Sequence, residues 1–168
     1  MLNQLENLTA RVGGCSELVD FCLNSRKQLL IAYCQTVGLK PNKESRTAHD
    51  ENALDTFCQN LVDYLSTGHF TVYERFIKEL EATPQLTQAA RIYPSLKANT
   101  DQIMHVYDTH LETAISNDDS LEFQKILSLV GEVLAERFVL EDKFISLALE
   151  ATEKSRPTAE AFPFAPSA

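Results

Sequence analysis

The chain lacks the short motifs that mark several classes of enzyme. Its 168 residues include no Trp and only five Gly, and neither GxxxxGK[ST] nor GxGxxG occurs among them. The sequence therefore contains no glycine-rich phosphate-binding loop of either kind. It also has no GxSxG, and the four cysteines are never spaced as CxxC. A nucleophile elbow and a paired-cysteine metal site are thus not predicted.

Long apolar runs and targeting signals are missing as well. The purest apolar stretch, residues 29–34, is far shorter than the roughly 18 residues that a membrane helix needs. The first eight residues show no basic segment followed by an apolar run, so no secretory signal is predicted. We therefore expect a cytoplasmic protein whose cysteines are reduced thiols.

The charge balance is acidic and argues against a nucleic-acid-binding protein. Asp and Glu number 24 against 15 Lys and Arg, for a formal net charge of -9. Affinity for DNA or RNA comes largely from basic side chains that neutralise phosphates. The composition instead favours a basic protein partner, or simply a well-solvated surface.

Apolar residues recur with a period of 3.6 nearly throughout, which predicts helices. Gly68 is expected to end one helix, and Pro94 to be the first residue of another. The predicted helices cover about residues 2–12, 17–37, 50–67, 70–80, 86–93, 94–116 and 120–152. The fold class is therefore all-α, an antiparallel helical bundle with four long helices plus short accessory helices. Residues 1–153 are expected to form a single domain, and the Pro-rich residues 154–168 a disordered tail.

One helical stripe could hold a metal ion. Asp101, His105, Asp108 and Glu112 are spaced at i, i+4, i+7 and i+11, and helical bundles do bind metals through such side chains. The di-iron pattern, however, requires Glu-x-x-His, which the sequence lacks. A solvated face is the simpler interpretation of these four residues.

Residues 61–74 suggest a docking point for a protein partner. Asp63 falls on the opposite side of its helix from Leu61 and Leu65, with Tyr64 and Phe70 close by. A carboxylate among aromatic rings can fix one Arg or Lys of a partner in a partly desolvated ion pair. The alternative is an ordinary polar face, with Tyr64 and Phe70 in the core.

Several segments together carry a resemblance to a known family. They are residues 1–9, 18–20, 40–41, 43–45, 61–65, 68–70, 98–100, 102–104, 111–115 and 137–143. Through them the chain resembles the Rsd/AlgQ family of bacterial anti-sigma factors over about residues 1–150.

This resemblance implies a function without catalysis or a cofactor. Such a bundle would bind region 4 of the primary sigma factor, block its contacts with the promoter -35 element and core RNA polymerase, and favour alternative sigma factors as growth slows. It would not contact nucleic acid directly. Asp63 would pair with a sigma arginine, and the other contact residues would be Tyr64, Ser66, Phe70, Leu18, Asp20 and Cys22.

One position departs from the family pattern, and two other classes of function stay open. The family commonly has Trp where this chain has Cys22, so the groove between the second and third helices is expected to differ in shape. The residues alone also permit a metal- or small-ligand-binding bundle that uses Asp101, His105, Asp108 and Glu112. An adaptor for another regulatory protein is the second alternative.

Overall fold

The computed structural model describes residues 1–38, 48–111 and 120–155, which contain no β-strand. The all-α prediction is confirmed. The helices are α1 (Leu2–Val12), α2 (Glu17–Val37), α3 (Ala48–Thr67), α4 (Tyr73–Leu80), α5 (Leu86–Val106) and α6 (Ser120–Ser155). Two single π-helical turns, Gly68–Val72 and Tyr107–Leu111, extend α3 and α5.

The long helices run antiparallel to their neighbours. Residue 26 in the middle of α2 bonds to residue 141 of α6, and residue 33 towards the end of α2 bonds to residue 127, so the two helices run in opposite directions. On α5, residues 95–102 lie beside residues 136–140 of α6, and residues 88 and 92 lie beside residues 139–150, so this pair is antiparallel too. The predicted antiparallel bundle, with α2, α3, α5 and α6 as its long members, is thereby confirmed.

Helix α6 is the centre of the bundle. Its 36 residues span about 54 Å at 1.5 Å per residue. It packs against α2, α4 and α5, and its inner face is apolar. The residues of α6 that are at least 96% buried are Phe123, Ile126, Leu127, Val130, Val133, Leu134, Arg137, Glu141, Phe144 and Ile145. Two of these ten are charged, and they belong to the site described below.

One of two predicted helix boundaries is confirmed and the other is wrong. Helix α3 ends at Thr67, directly before Gly68, although the chain continues through a π turn into α4. Pro94 lies inside α5 instead of starting a new helix. Proline lacks an N–H donor and crowds the preceding turn, which usually breaks a helix. Here Ala89 and Leu96, on either side of it, are fully buried, and this packing keeps α5 continuous.

Several predictions fall partly outside the described residues. The loop around residues 39–47 and most of the predicted tail, from 156 onward, lie there. The division into a domain at 1–153 and a tail at 154–168 stays a prediction. Within the described part of the chain, no helix combines the length and apolarity needed to cross a membrane.

Candidate functional site

A groove runs between α2 and α3 and holds about 190 Å³ of water-accessible space. The π turn that follows α3 also contacts α2. The groove is lined by Phe21, Asn24, Ser25, Gln28, Leu29, Asn60, Asp63, Tyr64 and Thr67. Among the described residues that line it, one is acidic and none is basic.

Three of the predicted contact residues are exposed on α3 or on the π turn that follows it. Asp63 is exposed and accepts a hydrogen bond from Gln59 Nε2, one turn earlier, at 3.0 Å. Leu61 and Leu65 are buried, so Asp63 faces away from the core as predicted. Ser66 is exposed, and Phe70 in the π turn is 69% exposed. An acidic and an aromatic side chain of this segment are therefore accessible to a partner.

Three of the other four predicted contact residues have little exposed surface. Leu18, Cys22 and Tyr64 are each more than 90% buried. Asp20 is exposed, but its Oδ1 accepts the Gly14 backbone N–H at 2.8 Å, in the turn between α1 and α2. Leu18 and Cys22 belong to the core, and their role as contact residues stays a prediction.

Cys22 is a core residue without nucleophilic character. Burial, followed by the nearby charge of Glu141, raises the pKa of the Cys22 thiol to about 12. Because the thiolate is the reactive form of cysteine, the thiol is inert at neutral pH. This agrees with the interpretation of Cys22 as a core filler.

Sequence reasoning missed a buried polar network beneath the groove. Its centre is Glu141 of α6, which receives four hydrogen bonds from four helices. Arg26 Nη2 donates to Oε2 at 2.9 Å, Arg137 Nε to Oε1 at 3.0 Å and the Tyr73 hydroxyl to Oε1 at 2.5 Å. The Tyr64 hydroxyl also donates to Oε2. One carboxylate therefore joins α2, α3, α4 and α6.

The ionisation of Glu141 follows from these partners. Burial alone would oppose the charged form of this carboxyl group. The guanidinium charges of Arg26 and Arg137 and the two phenol hydrogen bonds outweigh that penalty, so the pKa of Glu141 lies below its usual value. Buried charges are tolerated when they are paired and hydrogen-bonded in this way.

The spacing along α6 contained a signal for this network. Arg137 and Glu141 are one helical turn apart, and Glu141 falls three residues after Phe138 and three before Phe144. Both charged residues therefore occupy inward positions of an apolar face. Opposite charges at such positions indicate a buried pair.

Gly68 connects the network to the π turn. A Cβ atom at this position would lie 3.0 Å from Arg137 Nη2 and 3.1 Å from the Tyr73 hydroxyl oxygen. Only glycine lets the backbone pass this close to two buried polar groups. The π turn that carries Phe70 is thus held directly against the network.

The metal-binding alternative gains no support from the geometry. Asp101, His105 and Asp108 are exposed, and Glu112 lies outside the described residues. The α-helical register ends at Val106, and Asp108 lies in the π turn beyond it. No group of three or more His, Cys, Asp or Glu side chains among the described residues could hold a metal ion.

Comparison with known proteins gives close relatives. A model of the family described as regulator of RNA polymerase sigma(70) subunit, Rsd/AlgQ, matches residues 1–149. Regulator of sigma D from Shigella boydii serotype 4 is 59% identical over 157 residues, covering 94% of this chain and 99% of that protein. The proteins of the same name from Escherichia coli O139:H28 and Escherichia coli K12 are 58% identical with the same coverage.

Proposed function

The chain belongs to the Rsd/AlgQ family of regulators of the RNA polymerase sigma(70) subunit, and we propose that it sequesters the primary sigma factor by covering region 4. The relatives that are 58–59% identical are named regulators of sigma D. The proposed contact surface is the groove between α2 and α3 together with the exposed residues Asp63, Ser66 and Phe70.

The observation that carries this proposal is the exposed carboxylate of Asp63 in the wall of the groove, with Phe70 exposed in the π turn that follows the same helix. Interfaces concentrate their binding energy in a few aromatic and charged anchors. A carboxylate next to an apolar surface forms a stronger ion pair, because the partner's arginine is partly withdrawn from water. Within the described part of the chain, no cation pairs with Asp63, so its charge is available to a partner.

The charge of the chain supports the same partner. Region 4 is a basic helix-turn-helix module in this family's target. A protein with a net charge of -9, whose groove is lined by no basic residue among those described, is complementary to such a module. Complementary charge accelerates the encounter of two proteins and disfavours partners with the wrong charge.

The proposed mechanism is steric and requires no chemical step. A sigma factor whose region 4 is covered cannot contact the promoter -35 element or the polymerase core through that region. Core polymerase is then left for alternative sigma factors as growth slows. The protein would act in the cytoplasm, where the polymerase works.

Calorimetric titration tests this proposal. The full chain is titrated with the intact primary sigma factor and, as the matched control, with a sigma factor truncated before region 4. Saturable binding to the intact protein alone is expected, and it should weaken between about 50 mM and 500 mM salt because ionic contacts are screened. Equal binding to both proteins would contradict the assignment of region 4. No binding to either would contradict sequestration and favour the adaptor alternative.

A further inference from the structure

Phe21 of α2 was not among the residues that the sequence singled out, yet its surroundings indicate a role in binding. Its side chain is 48% exposed. It lines the groove between α2 and α3 and also a smaller adjoining cavity that contains Cys22 and Glu141. The ring therefore forms part of the groove wall.

Of the two aromatic residues among the described lining of the groove, Phe21 is the one with an exposed ring. Among the described lining residues, the other aromatic one is Tyr64, which is 7% exposed. The Arg137 guanidinium carbon lies 5.5 Å from the centre of the Tyr64 ring, and the Tyr64 hydroxyl is bonded to Glu141. Tyr64 is thus occupied within the core, whereas Phe21 can receive an outside group.

The groove is suited to a cation. Asp63 and Phe21 line the same space from α3 and α2 respectively, and no basic residue is among the described lining residues. Aromatic faces attract cations through the negative charge of the ring face. Arginine fits this combination better than lysine, because its planar guanidinium can stack on a ring while it pairs with a carboxylate.

We propose that Phe21 is a specificity residue, whose ring is the platform for a sigma arginine that pairs with Asp63. This inference rests on the proposed function and adds a second wall to the arginine site. On this proposal, the aromatic ring that α2 provides to the groove is that of Phe21, because the neighbouring Cys22 is buried and has no ring.

The test is a series of substitutions at Phe21 in the full chain, titrated with the intact primary sigma factor. Phe21→Ala is expected to weaken binding by about ten-fold or more, since it removes both the ring and its apolar area. Phe21→Leu keeps apolar area without a π face and should fall between Phe21→Ala and wild type. Phe21→Tyr keeps the ring and should bind like wild type.

Ile31→Ala is the matched control. Ile31 lies on the same helix and is 38% exposed, but it does not line the groove. Its substitution should leave the affinity unchanged. The melting temperature of each variant is measured in parallel and is expected to stay within a few degrees of wild type, because both residues are partly solvated.

The outcomes separate this inference from the proposed function. If wild type does not bind sigma, the proposed function is wrong. If wild type binds and Phe21→Ala binds equally well, the platform is wrong while sequestration stands. Wild-type affinity for Phe21→Leu would likewise overturn stacking, and an equal loss in Ile31→Ala would show that the effect does not come from the groove.

Discussion

Arg26 of α2 and Glu141 of α6 form an ion pair across 2.9 Å in which both side chains are at least 97% buried. Removing one member of such a pair leaves the other charge buried with less compensation. Arg26→Leu should therefore lower the free energy of unfolding by about 3 kcal/mol or more. Urea denaturation followed by circular dichroism measures this change.

Lys125→Gln is the control for this ion pair. Lys125 approaches Glu122 at 4.0 Å, but both side chains are largely exposed. Pairs of this kind contribute between about 0 and 1 kcal/mol, so this variant should unfold close to the wild-type urea concentration. Equal stability of Arg26→Leu and wild type would contradict a structural role for the network.

Gly131 faces Tyr33 at a distance that excludes a side chain. A Cβ atom at residue 131 would lie 2.2 Å from the Tyr33 hydroxyl oxygen, which donates to the Leu127 carbonyl at 2.9 Å. Gly131→Ala must displace the Tyr33 ring, so we expect a loss of about 1–3 kcal/mol in unfolding free energy.

A double-mutant cycle identifies Tyr33 as the cause. In a Tyr33→Ala background the clash is absent, and Gly131→Ala should then stabilise α6 slightly, since Ala is the better helix former by about 1 kcal/mol. Denaturant unfolding of all four proteins provides the cycle. The same loss in both backgrounds would show that Tyr33 is not responsible.

Cys22 makes stability depend on pH in the alkaline range. The folded thiol has a pKa of about 12, against 9.0 for a free thiol. The unfolded chain therefore releases this proton first, and the unfolded state is increasingly favoured as the pH rises from about 9 towards 12. The stabilisation is fully present below pH 9.

Cys22→Val tests this dependence. Between pH 9 and 10 the Cys22 thiol ionises in the unfolded chain ahead of Tyr64 and Tyr73, whose smaller contribution is common to both proteins. The unfolding free energy of wild type should therefore fall more steeply than that of the variant. Urea titrations at pH 7.5, 9 and 10 measure both slopes. Parallel slopes would show that Cys22 is not the group concerned.

Much of the fold could be predicted because its local signals agree with its packing. The bounds of α1 and α2 follow from clean apolar periodicity and from Gly13 and Gly38 directly after each helix. Pro94 shows the limit of this approach, since the burial of α5 on both sides of it outweighs a local signal for a break. Tertiary packing of this kind is not visible in a short window of sequence.

The candidate site was predictable only in part, for two physical reasons. A π turn adds a residue to one helical turn and shifts the register that follows, and no local pattern in residues 68–72 indicates it. Tyr64 is buried while Phe70 is 69% exposed, although the core interpretation grouped them together. Glu141 was missed because charged residues are usually assigned to the surface. Phe21 was missed because the resemblance to the family singled out the neighbouring position 22.

Asp63→Ala separates binding from folding at the proposed sigma site. The Asp63 carboxylate is exposed and its described hydrogen bond is local, to Gln59, so its removal should leave helicity and melting temperature nearly unchanged. Loss of an interface anchor should instead weaken binding to the intact primary sigma factor by about ten-fold or more in calorimetry. Asp101→Ala, which removes an exposed carboxylate from α5, controls for net charge and should bind like wild type. A fall in melting temperature that accompanies the loss of affinity would make Asp63 structural, and unchanged affinity would move the sigma contact elsewhere.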